Sequence, residues 1–171
     1  MFQVESVARV DAPSPAKDCE RILSLLPTKR YREQHDEIKR LIAQFQDFVQ
    51  RTDNPEALSD CRGLLLSLMR KLTVHLEQED DYLYPRLMGH EHDALREMAI
   101  RFKAETGGLQ DVAKRWAAVW LLPGAATQDP ARFKKETNDF FNQLSLRITR
   151  EETQLYPMID QIGWSAVTGI G

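Results

Sequence analysis

The sequence predicts an all-α fold, an up-down-up-down four-helix bundle preceded by an N-terminal arm and a short extra helix. Three observations predict it. Four long stretches repeat apolar residues at alternating steps of three and four. Breaker residues separate those stretches by short connections. No run alternates apolar and polar residues as a half-buried strand does.

Residues 1–27 form the arm and the short helix. The arm, residues 1–14, has no helical period and is either a partner-pairing or a disordered segment. Ser14-Pro15 then offers an N-cap and a first-turn proline for a helix ending before Pro27. The bundle occupies residues 28–162. Its first helix runs from near Thr28 to Arg51, with Tyr31, His35, Ile38, Ile42, Phe45 and Val49 facing inward. Asn54-Pro55 opens the second, which ends near Leu87 before Gly89. Its inward stripe is Cys61, Leu65, Leu68, Leu72, His75, Glu79 and Tyr82. The third spans Asp93 to Leu122 and is closed by Pro123-Gly124. It turns Leu95, Phe102, Thr106, Leu109, Ala113, Trp116 and Trp120 inward. Gly107 and Gly108 lie inside it, where each glycine costs about 1 kcal/mol relative to alanine. Close helix packing and a break in the helix both account for them. Asp129-Pro130 opens the fourth helix, whose stripe is Phe133, Phe140, Leu144, Arg147, Glu151, Leu155 and Met158. Residues 163–171 form a tail in which Trp164 is available to dock.

Composition narrows the function. The 171 residues suffice for one domain with a real core, and 42% hydrophobic and 29% charged residues suit a globular chain. A formal net charge of -3 is too small to steer nucleic acid or an anionic membrane. No apolar run reaches the length of a membrane span, and the N-terminus lacks a signal peptide's apolar segment. Cys19 and Cys61 form no disulfide framework and read as reduced thiols of a cytoplasmic protein, Cys61 as core packing. Neither nucleic acid nor membrane is expected as a partner; a protein partner is left open. The oligomeric state is not readable.

The polar residues on the inward stripes carry the chemistry. "VHLEQEDDYLYP" (Val74 to Pro85) aligns without gaps on "LRITREETQLYP" (Leu146 to Pro157) at an offset of 72. Glu79 falls on Glu151, Tyr84 on Tyr156 and Pro85 on Pro157, but His75 falls on Arg147. The first helix aligns on the third at an offset of 71, and there His35 falls on Thr106. His75 and Glu79 stand one turn apart on one face. A buried carboxylate needs a metal, a cation or hydrogen bonds. Imidazole nitrogen with carboxylate oxygen suits iron, manganese or zinc. A lone HxxxE is commonly structural; the second inward histidine and the repeat give this one weight. Asp36, Glu37, Asp80 and Asp81 read as solvent-facing charges, and His90 and His92 as part of a solvated turn, with a metal-chelating pair as the alternative. No Ser-His-Asp set, phosphate loop or CxxC is present.

With "EQHDEI" around His35, "HLEQEDDYLYP" around His75 and "REETQLYP" around Glu151, the chain resembles the hemerythrin-like proteins with the HHE cation-binding domain. The resemblance covers residues 28–162. It implies a four-helix bundle around a non-haem di-iron centre with histidine ligands and two bridging carboxylates. Such centres bind oxygen, sense oxygen or redox state, or handle iron. His35 and His75 match the first two histidine ligands, and Glu79 and Glu151 match the bridging carboxylates. The family has further histidines where this chain has Thr106 and Arg147.

A guanidinium can fill the space of a lost ion, donating to both carboxylates without losing its proton. Arg147 is thus expected to pair with Glu79 and Glu151; the alternative is that it snorkels to solvent. His35, His75, Glu79 and Glu151 then hold either a single divalent metal, iron foremost, or a metal-free hydrogen-bond network. A cation beside the site weakens ion binding. The expected function is a non-enzymatic sensory, signalling or partner-binding module. The alternative is a working iron-binding protein with an oxygen, redox or iron-handling role.

Overall fold

The computed structural model describes residues 27–51, 58 and 61–163. The arm, Ser14-Pro15, Cys19, Asn54-Pro55 and Trp164 lie outside the described residues. Every regular element among those described is helical. The first rod is α1, Pro27–Arg51. The second is α2, Arg62–Gln78, continued through a wide π-helical turn, Glu79–Leu83, into α3, Tyr84–Met88. The third is α4, Asp93–Thr106, and α5, Leu109–Trp120. A short α6, Ala125–Gln128, not expected from the sequence, fills the connection. The fourth is α7, Pro130–Arg150, a second π-helical turn, Glu151–Leu155, and α8, Tyr156–Ile162. Asp129 caps α7 by accepting from the Arg132 amide, with Pro130 in the first turn.

The two wide turns change the inward register. The amides of Tyr84 and Tyr156 donate to the carbonyls of Glu79 and Glu151, five residues back rather than four. Pro85 and Pro157 come directly after, and a proline ring tolerates neither the α-register bond nor the carbonyl four residues before it. The extra residue rotates the remainder of each rod. Tyr82, expected inward, is 62% exposed, and Leu83 and Tyr84 are buried instead. Likewise Met158 is only partly buried, and Tyr156 and Ile159 take the core positions.

Gly107 and Gly108 break the third rod. A Cβ on Gly107 would stand 2.4 Å from the Lys103 carbonyl oxygen, so the glycine is required for the turn as built. Nothing lies within 4 Å of a Cβ on Gly108.

Two apolar clusters fill the bundle. One contains Ile38, Phe45, Leu65, Leu72, Leu109, Trp116, Phe133, Phe140, Leu144 and Ile148, with Cys61 buried among them. The other contains Leu83, Tyr84, Leu87, Leu95, Phe102, Leu155, Tyr156 and Ile159. Along each rod the chain passes from one cluster to the other through a polar residue: His35, Glu79, Thr106 or Glu151. The polar residues thus form a layer across the bundle's waist.

A candidate metal centre

His35, His75, Glu79 and Glu151 each offer a ligand atom, and these atoms lie within 4.8 Å of one another. All four side chains are at most 1% exposed. α1 supplies His35, α2 supplies His75, and each carboxylate stands at the first residue of a π-helical turn.

The partners of the outer ring nitrogens determine the tautomers. His35 Nδ1 lies 3.2 Å from Glu152 Oε1, and a carboxylate only accepts. His75 Nδ1 lies 3.0 Å from Gln34 Oε1, whose amide is oriented by donation from Gln34 Nε2 to Gln78 Oε1 at 3.0 Å. Both Nδ1 atoms therefore donate, and a neutral ring then turns the Nε2 lone pair inward. The two Nε2 atoms face each other at 2.9 Å. Glu79 Oε2 is 3.3 Å from His75 Nε2, and Glu151 Oε2 is 3.4 Å from His35 Nε2. That last contact is within ion-pair reach but lacks hydrogen-bond geometry, so Glu151 Oε2 is buried without a hydrogen-bond partner. With both rings neutral and both carboxylates ionised the four atoms converge as acceptors, an arrangement that a proton or a bound cation relieves. A cation is what such a set accommodates, and the nitrogen and oxygen donors suit a first-row divalent metal.

Arg147, 1% exposed, lies on the far side of the same carboxylates. Its Nε donates to Glu151 Oε1 at 2.9 Å and its Nη2 to Glu79 Oε2 at 2.9 Å. Nη2 also reaches Asp80 Oδ1 at 3.0 Å, and Nη1 donates to the Thr106 carbonyl at 3.4 Å. The guanidinium packs over the Tyr84 ring, 5.3 Å from its centroid. The inward pairing is what the structure contains; the snorkelling alternative is not.

Phenol groups add further hydrogen bonds, to the Glu79 oxygen that Arg147 leaves free and to the Glu151 oxygen that Arg147 Nε also holds. Tyr156 donates to Glu79 Oε1 at 2.6 Å, and Tyr84 to Glu151 Oε1 at 2.8 Å. These bonds exchange partners between the two halves of the repeat. Asp80 and Glu152, equivalent in the repeat, also play matching parts: Asp80 supports Arg147, and Glu152 supports His35. Lys103 pairs with Asp80 at 3.0 Å, and Lys39 with Glu152 at 2.9 Å.

Electrostatics reflect the geometry. Burial, aided by His75, lowers His35 to about 4. Burial also opposes charge on His75, but Glu79 and Glu151 outweigh it and hold His75 above its ordinary value. For Glu79 burial is likewise outweighed, by His75 and Arg147, and its carboxyl stays well below the usual range. Burial and the Glu79 charge push Glu151 up to about 8. One guanidinium does not neutralise two buried carboxylates, so without a further cation Glu151 favours its protonated form near neutral pH. Burial and the two carboxylates raise Tyr84 and Tyr156 well above the phenol range, so both stay donors.

A family profile, the hemerythrin HHE cation binding domain, matches residues 26–159. The chain belongs to the hemerythrin HHE family. No curated protein and no solved structure matches it significantly. In this hemerythrin-like chain the four expected ligand residues converge.

Several sequence expectations need correction or refinement. Thr106 is half-buried and its hydroxyl donates to its own helix, to Phe102 O at 2.8 Å; only its carbonyl addresses the site. Asp80 is buried, not solvent-facing, because Arg147 draws it in. Asp36, Glu37 and Asp81 are exposed as expected. The turn with His90 and His92 is not merely solvated. His90 is buried and its Nδ1 accepts from the His92 amide, and the His92 ring caps α4. Tyr84, Tyr156, Gln34 and Glu152 escaped sequence reasoning; the doubled "LYP" was the available signal for the tyrosines.

Proposed function

We propose that the chain is a degenerate hemerythrin-like module that binds at most one metal ion, a divalent one with iron foremost, and works in the cytoplasm as a non-enzymatic sensory, signalling or partner-binding unit. In this reading His35, His75, Glu79 and Glu151 are the ligands. Thr106 and Arg147 stand where the family's remaining histidines would be, and Arg147 takes the place of the second ion.

The observation that supports the reading is the divided use of the carboxylates. Glu79 and Glu151 each address four-acceptor space on one side and one guanidinium on the other. The bound ion would supply the positive charge that Glu151 Oε2 lacks. Glu152 and Gln34 hold the ring tautomers. Tyr84 and Tyr156 fix the carboxylates' outer oxygens. The non-enzymatic part is supported by the burial of all four ligands. The clefts along α5 and α7 and at the Trp120–Thr127 corner share no residue with the site.

The test is metal content of protein purified without chelator, read beside its visible spectrum. No more than one ion per chain and no oxygen-dependent charge-transfer band are expected. Two irons per chain retained through gel filtration would refute the reading and restore a dinuclear oxygen or redox role.

A further inference from the structure

We infer that Arg147 makes this a divalent-ion site that holds bound iron in the ferrous state. The inference rests on the single-ion reading above and adds the oxidation state.

Charge counting carries it. Among the described residues, the buried groups of the polar layer that carry charge once both ligand carboxylates are ionised are Glu79, Glu151, Asp80 and Arg147. Metal binding requires ionised carboxylates and neutral imidazoles. Three negative charges against one positive leave two, which a divalent ion cancels. A trivalent ion leaves one positive charge buried and uncompensated, a costly arrangement away from water. At the rim, Lys103 faces Asp80 while Glu152, itself paired with Lys39, faces His35. These groups are partly exposed, of both signs, and screened.

Geometry makes the effect direct. Glu79 Oε2 accepts from Arg147 Nη2 at 2.9 Å and is also the oxygen that faces His75 Nε2. Glu151 presents Oε1 to Arg147 Nε and Oε2 to His35. Arginine and ion would thus draw on the same two carboxylates. A guanidinium does not release its proton in compensation. Arg147 therefore opposes the extra charge of a ferric ion more than that of a ferrous one.

The experiment loads parent, Arg147→Gln, Arg147→Lys and Asp80→Asn with ferrous ion without oxygen and measures each midpoint potential by spectroelectrochemistry. Arg147→Gln should raise the ferric-to-ferrous affinity ratio at least tenfold, a fall of about 59 mV for one electron. Arg147→Lys should stay near the parent. Asp80→Asn removes a negative charge without touching a ligand and should raise the potential. The parent, exposed to air, should stay ferrous by electron paramagnetic resonance. If Arg147→Gln does not fold, the Asp80→Asn shift and the air exposure decide. Equal potentials across the set, a shift of opposite sign, or prompt oxidation of the parent would overturn the inference. Equilibrium dialysis with zinc separates the two levels. No uptake by the parent overturns this inference while the at-most-one reading stands at zero; two ions per chain overturn both; uptake of one ion without the shifts overturns this inference alone.

Discussion

Replacing Arg147 by alanine in metal-free protein should be among the most damaging single changes available. It removes the bonds to Glu79, Glu151 and Asp80, at 2.9, 2.9 and 3.0 Å, and leaves three buried carboxylates without their shared cation. Breaking a buried pair from one side costs roughly 3–5 kcal/mol. Whole domains are stable by about 5–15 kcal/mol, so the loss is a large fraction of the total. A cavity alone could cost a similar amount, about 2–5 kcal/mol for a large aliphatic residue cut to alanine. Arg147→Met separates the causes. It keeps most of the volume and removes the charge, so it should recover little. Adding Glu79→Gln to Arg147→Met removes the carboxylate that stays ionised and should recover more than the methionine side chain did. The assay is urea denaturation in the presence of chelator, with midpoint and slope fitted for each variant. Arg147→Ala within about 1 kcal/mol of the parent would refute the electrostatic account. Full recovery by methionine would show that volume, not charge, is what the residue supplies.

The same geometry sets other outcomes. Arg147→His with Thr106→His should raise iron bound per chain above the parent under reducing conditions, and neither single change should suffice. An unchanged double variant would count against the alignment of the third and fourth helices. Gly107→Ala, meeting the Lys103 carbonyl at 2.4 Å, should destabilise by about 1–3 kcal/mol in thermal or urea melts. Gly108→Ala, with open space, should be neutral or stabilising by up to about 1 kcal/mol; equal losses at both would show that the turn is not as described. Glu152→Ala should weaken zinc binding about 10–100-fold by freeing the His35 ring, as isothermal titration would register.

Much of this was legible in the residues alone. The 3.6-residue period located the four rods, and it turned His35, His75, Glu79, Arg147 and Glu151 inward because each sat in step with leucines and phenylalanines. The same period failed after Glu79 and Glu151. A wide turn adds one residue, so counting in threes and fours points to Tyr82 when Tyr84 is the residue inside. The failure has a local cause in Pro85 and Pro157, whose rings forbid the ordinary bond. Asp80 was misplaced for another reason. Its burial depends on a guanidinium arriving from α7, which no property of its own segment encodes. Gln34 and Glu152 sit at the edge of their stripes, where facing inward depends on how closely two rods approach.

The polar layer has a consequence for the protein in use. Apolar packing lies on both sides of it, so an ion held at the waist would fasten two cores that, among the described residues, are separated by a polar layer. An ion bound by the folded chain alone stabilises it by mass action, about 2.7 kcal/mol at a free concentration one hundred times the dissociation constant. The durability of the fold then tracks the local supply of that ion. Starvation for the metal would loosen the bundle at its middle, with both ends losing their common anchor at once.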